Sequence, residues 1–133
     1  DAEVEAIAMR VAMAHEEARG GTPRNVSTAE LARAAGLQDY PGFDLVSERL
    51  GGEERAIEVK GRAGVGDVEI TENEWDQAHN LRGRYWLYVV FDCATPQPRL
   101  VRVPDPWGKQ IGKPLGGVIV GDEAIFDNGE EDE

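Results

Sequence analysis

The segment Ile57-Glu58-Val59-Lys60-Gly61 carries the most information in this sequence. Successive side chains of a β-strand point to opposite faces of the sheet. Glu58 and Lys60 therefore share one face, and Ile57 and Val59 share the other. An acid and a lysine on one face, with apolar residues on the other, predict a strand whose apolar face is buried and whose other face carries a carboxylate and an ammonium group. The pattern suits a divalent metal held by carboxylates with a lysine beside it, although an ordinary ion pair on an exposed strand has the same spacing.

A second acid, Asp44, lies upstream on a predicted partner strand. The Gly51-Gly52 pair between the two strands predicts a hairpin turn. A loop of these two residues alone would set Asp44 opposite Val59. Carboxylates that share a metal must lie on one face, so we expect a three-residue loop or a bulge that sets Asp44 opposite Glu58 or Lys60.

Hydrophobic periodicity divides the rest of the chain into helices and strands. The pattern predicts helices at 2–19, 28–35 (with Ser27 as its cap) and 72–81 (capped by Thr71), and strands at 43–50, 54–61, 67–70, 84–93, 100–103, 118–120 and 124–126. The order α-β-β-β-α-β of the main elements predicts an α/β (α+β) fold with a mixed β-sheet flanked by helices. Residues 104–115 are expected to form a loop. Residues 1–128 are expected to form one domain, and the acidic segment 129–133 is expected to be disordered.

Composition limits the classes of function. The 133 residues include 26 acidic and 14 basic side chains and carry a net charge of -12, whereas a free-standing nucleic-acid binder is expected to be basic. The single cysteine, Cys93, excludes an internal disulfide and a cysteine-based zinc site. No apolar run is long enough to span a membrane, and arginine, alanine and glycine are abundant, so a cytoplasmic, prokaryotic protein is expected. Because the chain begins at Asp1 rather than at a methionine, we expect it to be a piece of a larger protein.

The first predicted helix offers a third acid. Glu5, Met9, Ala12 and Glu16 form a stripe at the edge of its apolar face. Glu16 is therefore the candidate that can reach a site bordering the core, whereas Glu17 is expected to face solvent. A single glutamate on a helix is more often a solvated surface residue, and that interpretation stays open.

These residues together suit phosphodiester hydrolysis. The carboxylates of Asp44 and Glu58 and the backbone carbonyl of Val59 can bind Mg²⁺ or Mn²⁺ and leave positions open for water. Such a metal polarises a phosphodiester and lowers the pKa of a bound water. Lys60 can orient or deprotonate that water, or neutralise the charge that builds on the phosphate. The pattern thus predicts a metal-dependent nuclease.

Five segments of the chain resemble a known superfamily. They are His15–Gly20, Gly42–Leu45, Glu54–Gly61, Ile70–Trp75 and Arg84–Val90. An aspartate followed at a distance by Glu-x-Lys, after an initial helix, resembles the PD-(D/E)xK nucleases. More specifically, the chain from Val4 to Val103 resembles the family named after the C-terminal domain of the plant protein NO VEIN. The resemblance implies a restriction-endonuclease-like core.

The resemblance also implies roles for individual residues. By position, Asp44, Glu58 and Lys60 match the nuclease motif, and Glu16 matches the helix acid. The pair Gly42-Phe43 stands where the superfamily's name would place a proline before the aspartate, which is a common departure.

Two residues of the second long helix are secondary candidates. Some relatives carry a glutamine where this chain has Gln77, and Glu74, on the same stripe, competes for that role. Domains of this family are often appended to helicase, methyltransferase or ATPase proteins of restriction and phage defence. The resemblance therefore implies a DNA endonuclease assisted by a neighbouring domain or subunit.

Two alternatives stay open. The fold can persist as a catalytically inactive module for protein contacts or for sensing DNA modification. Trp75, Trp86 and Trp107 can in principle form an aromatic pocket for a flipped base, although core packing is the simpler interpretation for Trp75 and Trp86. His15 and His79 are more simply hydrogen-bonded helix residues than metal ligands.

Overall fold

A mixed six-stranded sheet and a smaller three-stranded sheet form the framework in the computed structural model, which describes residues 1–114 and 117–132. The helices are α1 (Ala2–Ala18), α2 (Ala29–Ala34), α3 (Glu72–Leu81) and α4 (Asp122–Asn128). The strands are β1 (Thr22–Asn25), β2 (Leu45–Glu48), β3 (Glu54–Gly61), β4 (Val68–Ile70), β5 (Tyr85–Phe91), β6 (Arg99–Pro104), β7 (Gly112–Pro114), β8 (Val118–Val120) and β9 (Glu130–Glu131). Within the described ranges, no helix has the length and apolar character needed to cross a membrane.

The large sheet has the order β1-β2-β3-β5-β6-β9, and the small sheet has the order β4-β8-β7. Strands β3 and β5 are parallel, and α3 lies in the connection between them, whereas the other neighbouring pairs are antiparallel. All seven residues of β5 are buried, as expected for an apolar strand covered on both faces. The expected mixed sheet flanked by helices is confirmed.

The two faces of the large sheet bury different side chains. On one face, Ile57 of β3 and Tyr88 of β5 pack against Ala12 of α1. On the other face, Ala56 of β3 packs against Ala78 of α3. Since side chains alternate along β3, Glu58 and Lys60 belong to the α3 face and Val59 belongs to the α1 face.

The region after β6 differs from the sequence-based prediction. Residues 124–126, predicted to be an edge strand, lie in α4, where Ile125 is fully buried and Phe126 stacks on Phe91 with ring centroids 4.8 Å apart. The predicted loop at 104–115 contains β7, and its last residue, Leu115, lies outside the described residues. Near the N-terminus, the cap of α2 is Thr28 rather than Ser27, because the Ser27 hydroxyl instead donates to Asn25 at 2.6 Å.

The acidic end of the chain is also different from its prediction. Residues 129–132 were expected to be disordered, but Glu130 and Glu131 form β9 on the edge of β6. Three arginines on other elements hold this segment: Arg99 pairs with Glu131 at 3.0 Å, and Arg19 and Arg102 each pair with Asp132 at 2.7 Å. The prediction failed because it weighed local charge alone and not these distant cations. Glu133 lies outside the described residues.

Candidate functional site

The β2–β3 hairpin has the register that a shared carboxylate site requires. Leu45 pairs with Ile57, and the N–H of Arg49 donates to the carbonyl of Glu53 at 2.7 Å, which closes a three-residue loop of Leu50–Gly52. The paired register ends at Leu45, and Asp44, the residue just before it, lines the same clefts as Glu58. The expectation of a longer loop is therefore confirmed.

Asp44 is fixed by the backbone of β3. Its N–H donates to the carbonyl of Ile57 at 2.9 Å, and its Oδ2 accepts from the N–H of Val59 at 2.9 Å. Strand β2 begins only at Leu45, so the Glu58–Gly61 edge of β3 has no partner strand on this side among the residues that the structure describes. The edge is reached from two clefts of about 340 and 590 Å³, both lined by Asp44, Glu58 and Glu74.

The carboxylates of Asp44 and Glu58 repel each other. Glu58 is only 2% exposed, and its Oε1 has no hydrogen-bond donor among the described residues. Burial and the neighbouring Asp44 carboxylate raise the pKa of Glu58 well above its ordinary value. Burial also raises the pKa of Asp44, even though the Val59 N–H favours its charged form. A buried and a half-buried carboxylate, both with raised pKa values, thus form a site that is short of positive charge.

Lys60 lies between two carboxylates. Its Nζ is 3.3 Å from Oε2 of Glu58 and 3.0 Å from Oε1 of Glu74. Burial lowers the pKa of Lys60, but the charges of Glu58 and Glu74 outweigh this and make the net shift upward. Lys60 is therefore a fixed cation in this arrangement.

Glu74 is positioned by the start of α3. Its carboxylate accepts from the N–H of Thr71 at 2.9 Å, and the Thr71 side chain accepts from the N–H of Glu74, so the two form the expected capping box. Burial by itself raises the pKa of Glu74, but the Thr71 N–H and Lys60 reverse this effect, and the net shift is downward. The charged form of Glu74 thus both caps the helix and holds Lys60.

The donor set fits a hard divalent cation. Asp44 and Glu58 supply carboxylate oxygens, and the unpartnered Oε1 of Glu58 is a buried acceptor that a cation would satisfy. Among residues 1–114 and 117–132, no three His, Cys, Asp or Glu side chains are arranged as a ready-made metal cage. An ion here would therefore also need the carbonyl of Val59 and water, as Mg²⁺ commonly does.

Glu16 is not brought together with the other candidates. It lies on the α1 face of the sheet, fully buried, with its carboxylate bound by Arg49 through two hydrogen bonds of 2.8 Å and by the hydroxyl of Tyr88. Burial works against the charged form, but Arg49 and Tyr88 outweigh it and lower the pKa of Glu16 to about 2. The prediction that Glu16 completes the site is therefore corrected: its side chain serves a buried ion pair.

The acid that α1 does bring to the site is Glu5. It lines the 590 Å³ cleft together with Asp44, Glu58 and Lys60. The first half of α1 packs directly on the end of β3, since a Cβ added to Gly61 would lie 2.9 Å from the Cβ of Ala8. Glu5 belongs to the same helical stripe as Glu16 but lies roughly 16 Å away along the axis.

Gln77 also lies outside the cluster of acids. Its Oε1 accepts from Asn80 at 3.2 Å, and its aliphatic carbons cover the backbone at Gly42. Of the two secondary candidates on α3, only Glu74 contacts Lys60.

Gly42 shapes the approach to Asp44, and we expect alanine to be poorly tolerated there. Its φ is +86°, and an added Cβ would lie 2.5 Å from Cγ of Gln77 and 3.1 Å from the carbonyl oxygen of Asn73. The positive φ costs about 1–3 kcal/mol for a residue other than glycine, and the clash adds to it. Urea unfolding should show Gly42→Ala to be less stable than Gly51→Ala, whose φ is +93° but whose surroundings are open. Equal losses in the two variants would contradict a packing role for Gly42.

The aromatic and histidine alternatives do not assemble a site. Trp86 lies on the α1 face with the Arg55 guanidinium 3.8 Å from its ring centroid. Trp75 and Trp107 pack on the α3 face, where Trp107 lies 4.4 Å from the ring of His79. The three tryptophans therefore do not share a pocket. The other histidine, His15, has its Nδ1 3.4 Å from the exposed carboxylate of Asp132.

Comparison with known proteins agrees with this architecture. The model of the family described as "Protein NO VEIN, C-terminal" matches residues 4–103. The chain belongs to the NO VEIN C-terminal family. A solved structure of Hjc, a Holliday junction resolvase from the archaeal hyperthermophile Archaeoglobus fulgidus, is similar with a TM-score of 0.62. The alignment covers 95% of this chain and 94% of that chain at 21% identity. This member of the NO VEIN C-terminal family thus has the fold of that resolvase. A search of the curated proteins gives no match.

Proposed function

We propose that this domain is a metal-dependent endonuclease that hydrolyses phosphodiester bonds of DNA. The observation that carries the proposal is the convergence of Asp44, Glu58 and Lys60 on an open edge of β3, with Glu58 2% exposed and short of a hydrogen-bond donor. A purely structural ion pair does not need a second carboxylate beside it. The nuclease fold of the similar resolvase structure supports the same function.

The residues divide the work as follows. Asp44, Glu58 and the carbonyl of Val59 would hold Mg²⁺ or Mn²⁺, with water in the remaining positions. The metal, when bound, supplies Lewis acidity and a water of lowered pKa. Lys60 would orient the attacking water or neutralise charge on the phosphate, and Glu74 would keep the Lys60 ammonium in place. Glu5 is the helix acid that faces the same cleft.

DNA affinity would come partly from elsewhere. The chain has a net charge of -12, and eight of its 14 basic side chains are ion-paired with its own carboxylates within the described residues. Phosphate contacts dominate the affinity of proteins for DNA. A helicase, methyltransferase or ATPase neighbour, as in restriction and antiviral defence proteins, would supply the missing positive surface.

A cleavage assay tests the proposal directly. We expect the domain, joined to its natural neighbours, to cut plasmid or branched DNA when Mg²⁺ or Mn²⁺ is present and not when EDTA is present. Lys60→Ala is expected to reduce the rate at least ~100-fold, because a charge aimed at the transition state is lost. Circular dichroism of this variant checks that it is folded. The same variant, purified in the same way, also shows whether a contaminating nuclease causes the observed cleavage.

The acidity of the chain favours a second candidate, a catalytically inactive module for protein contacts or DNA sensing. The same assay separates the two functions. Absence of cleavage by the joined protein with either metal would reject the nuclease and leave the binding module. Cleavage that is unchanged in Lys60→Ala would remove Lys60 from the mechanism.

A further inference from the structure

A second cleft lies beside the carboxylates on the same face of the sheet. Its volume is about 470 Å³, within the range of small-ligand sites. Its apolar lining consists of Ala35, Leu37, Phe43, Val46, Ala56 and Leu81. Phe43 lines this cleft and also the 340 Å³ cleft that reaches Asp44. The two spaces are therefore neighbours, separated by the segment that carries Asp44.

The strand register fixes how the cleft is related to the candidate active site. Arg24, Val46 and Ala56 form one row across β1, β2 and β3. Glu58 lies two residues beyond Ala56 along β3, which corresponds to about 7 Å, and Asp44 lies two residues before Val46. A ligand lying over Val46 and Ala56 would thus be adjacent to the metal-binding carboxylates.

Two facing acids lie at the mouth of the cleft. Glu48 and Glu54 are directly opposite each other in the β2–β3 register, both are exposed, and both line the cleft. Like charges directly opposite on antiparallel strands are destabilising. Neither acid has an ion-pair partner in the part of the chain that the structure describes.

Two arginines line the same cleft. Arg24 is anchored by a hydrogen bond of 2.9 Å from its Nη2 to the carbonyl of Ala34, and its other N–H groups remain as donors. Arg84 follows α3 and is exposed. Neither arginine is ion-paired within residues 1–114 and 117–132. The cleft therefore offers hydrogen-bond acceptors, hydrogen-bond donors and an apolar lining that includes an aromatic ring.

We propose that this cleft binds an unpaired nucleobase of the DNA strand that is cut at Asp44 and Glu58, with guanine as its best complement. The inference rests on the proposed nuclease function. Guanine presents neighbouring N1–H and N2–H donors to the paired glutamates and O6 and N7 acceptors to an arginine. Its ring can stack on Phe43 and cover the apolar lining, as bases do in single-strand binding sites.

The competing occupant, a peptide segment, is less well matched to the cleft. A planar base can offer hydrogen-bond donors on one edge and acceptors on another edge at the same time. An apolar peptide side chain would leave the two glutamates and the two arginines of the cleft without partners. Thymine offers only one ring N–H donor to the two glutamates, so it should bind more weakly than guanine. The cleft would thus make the domain selective for an unpaired guanine next to the cut.

The test measures binding without cleavage. Fluorescence anisotropy in EDTA would compare short oligothymidylates that carry a single central guanine, thymine or abasic position. We expect the guanine strand to bind at least ~10-fold more tightly than the abasic strand, the size of one good base contact. Pairing that guanine with a complementary strand is expected to remove the preference.

Matched variants locate the binding. The double variant Glu48→Gln and Glu54→Gln removes a repulsive pair and is expected to fold, but to reduce the guanine preference to less than about threefold. Ala56→Leu fills the lining of the cleft and should weaken binding of every base. Arg84→Gln should weaken guanine binding, whereas Arg10→Gln, an exposed arginine of α1 outside the cleft, should not.

The outcomes separate the two proposals. A guanine preference that is lost in the cleft variants supports the cleft, even if the joined protein shows no metal-dependent cleavage, a result that would reject only the nuclease. Equal affinity for guanine and abasic strands would overturn the cleft, as would a preference unchanged in the double variant. A peptide library that is captured by the wild type and lost in Ala56→Leu, with no guanine preference, would show that the occupant is a protein segment.

Discussion

Glu58→Gln is expected to make the metal-free domain more stable and to remove its response to divalent metal. In the wild type, Glu58 is 2% exposed and lies beside the Asp44 carboxylate, and burial and this neighbour raise its pKa. An acid whose pKa is raised in the folded state contributes stability at pH values below its ordinary pKa. That contribution is lost as the pH rises from the ordinary pKa through the raised, folded-state pKa. A neutral amide removes this cost and can donate to Asp44.

The gain in stability at neutral pH should be about 1–3 kcal/mol, the usual cost of an unsatisfied buried polar group. Thermal unfolding with and without Mg²⁺ measures both effects. The wild type should be stabilised by the metal, since a ligand that binds only the folded state raises stability, whereas Glu58→Gln should not be. Glu69→Gln, an exposed acid on β4, is the control. If Glu58→Gln were less stable than the wild type without metal, this would contradict the idea that burying the Glu58 carboxylate beside Asp44 destabilises the fold.

Glu16→Gln is expected to have the opposite effect on stability. The fully buried Glu16 carboxylate is held by Arg49 with two bonds of 2.8 Å. Removing one partner of a buried ion pair costs about 3–5 kcal/mol, because the other charge is left uncompensated. Urea unfolding should therefore show a large loss for Glu16→Gln and almost none for Glu17→Gln, the exposed neighbour on α1.

The pH dependence provides a second measurement of the same ion pair. The pKa of Glu16 is lowered to about 2 from its ordinary value of 4.5. Its stabilising contribution is therefore complete above about 4.5 and is lost as the pH falls through about 2. This loss should be absent in Glu16→Gln. Metal binding by the folded variant should match the wild type, and a selective loss of metal binding would return Glu16 to the active site.

Much of the candidate site was accessible from the sequence because it depends on short-range rules. The alternation of Glu58 and Lys60 follows from strand geometry alone. The requirement that Asp44 share their face then predicted a three-residue loop or a bulge in the hairpin, and the observed register has the three-residue loop. Glu74 could be placed because the Thr71 capping box is a local pattern.

The helix acid shows where sequence reasoning stopped. Glu5 and Glu16 lie on one stripe of α1, and the sequence-based prediction selected Glu16, although the periodicity applies equally to Glu5. The choice depends on which end of the helix lies over Gly61, and that is set by packing between elements far apart in the chain. Arg49 and Tyr88 bind the Glu16 carboxylate, and the sequence around Glu16 does not indicate that they are its partners.

The acidic terminus was misjudged for the same kind of reason. A run of acids predicts a solvated tail when the sequence is considered locally. Strand β9 forms because Arg99 and Arg102 are on the neighbouring strand and Arg19 is on α1. Residues 124–126 were misjudged similarly, since an Ala-Ile-Phe run suits a short strand as well as a helix, and the contact with Phe91 decides between them.

Strand β9 has a further consequence for how this domain would hold a nucleic acid. Glu131 of this strand and Asp132, the residue after it, already serve as counterions for Arg19, Arg99 and Arg102. Binding of a phosphate backbone gains free energy by releasing condensed cations, one for each phosphate that a protein charge neutralises. A domain that neutralises its own arginines releases few of these ions. The affinity of this domain for DNA would therefore depend only weakly on ionic strength and would come from short-range contacts instead.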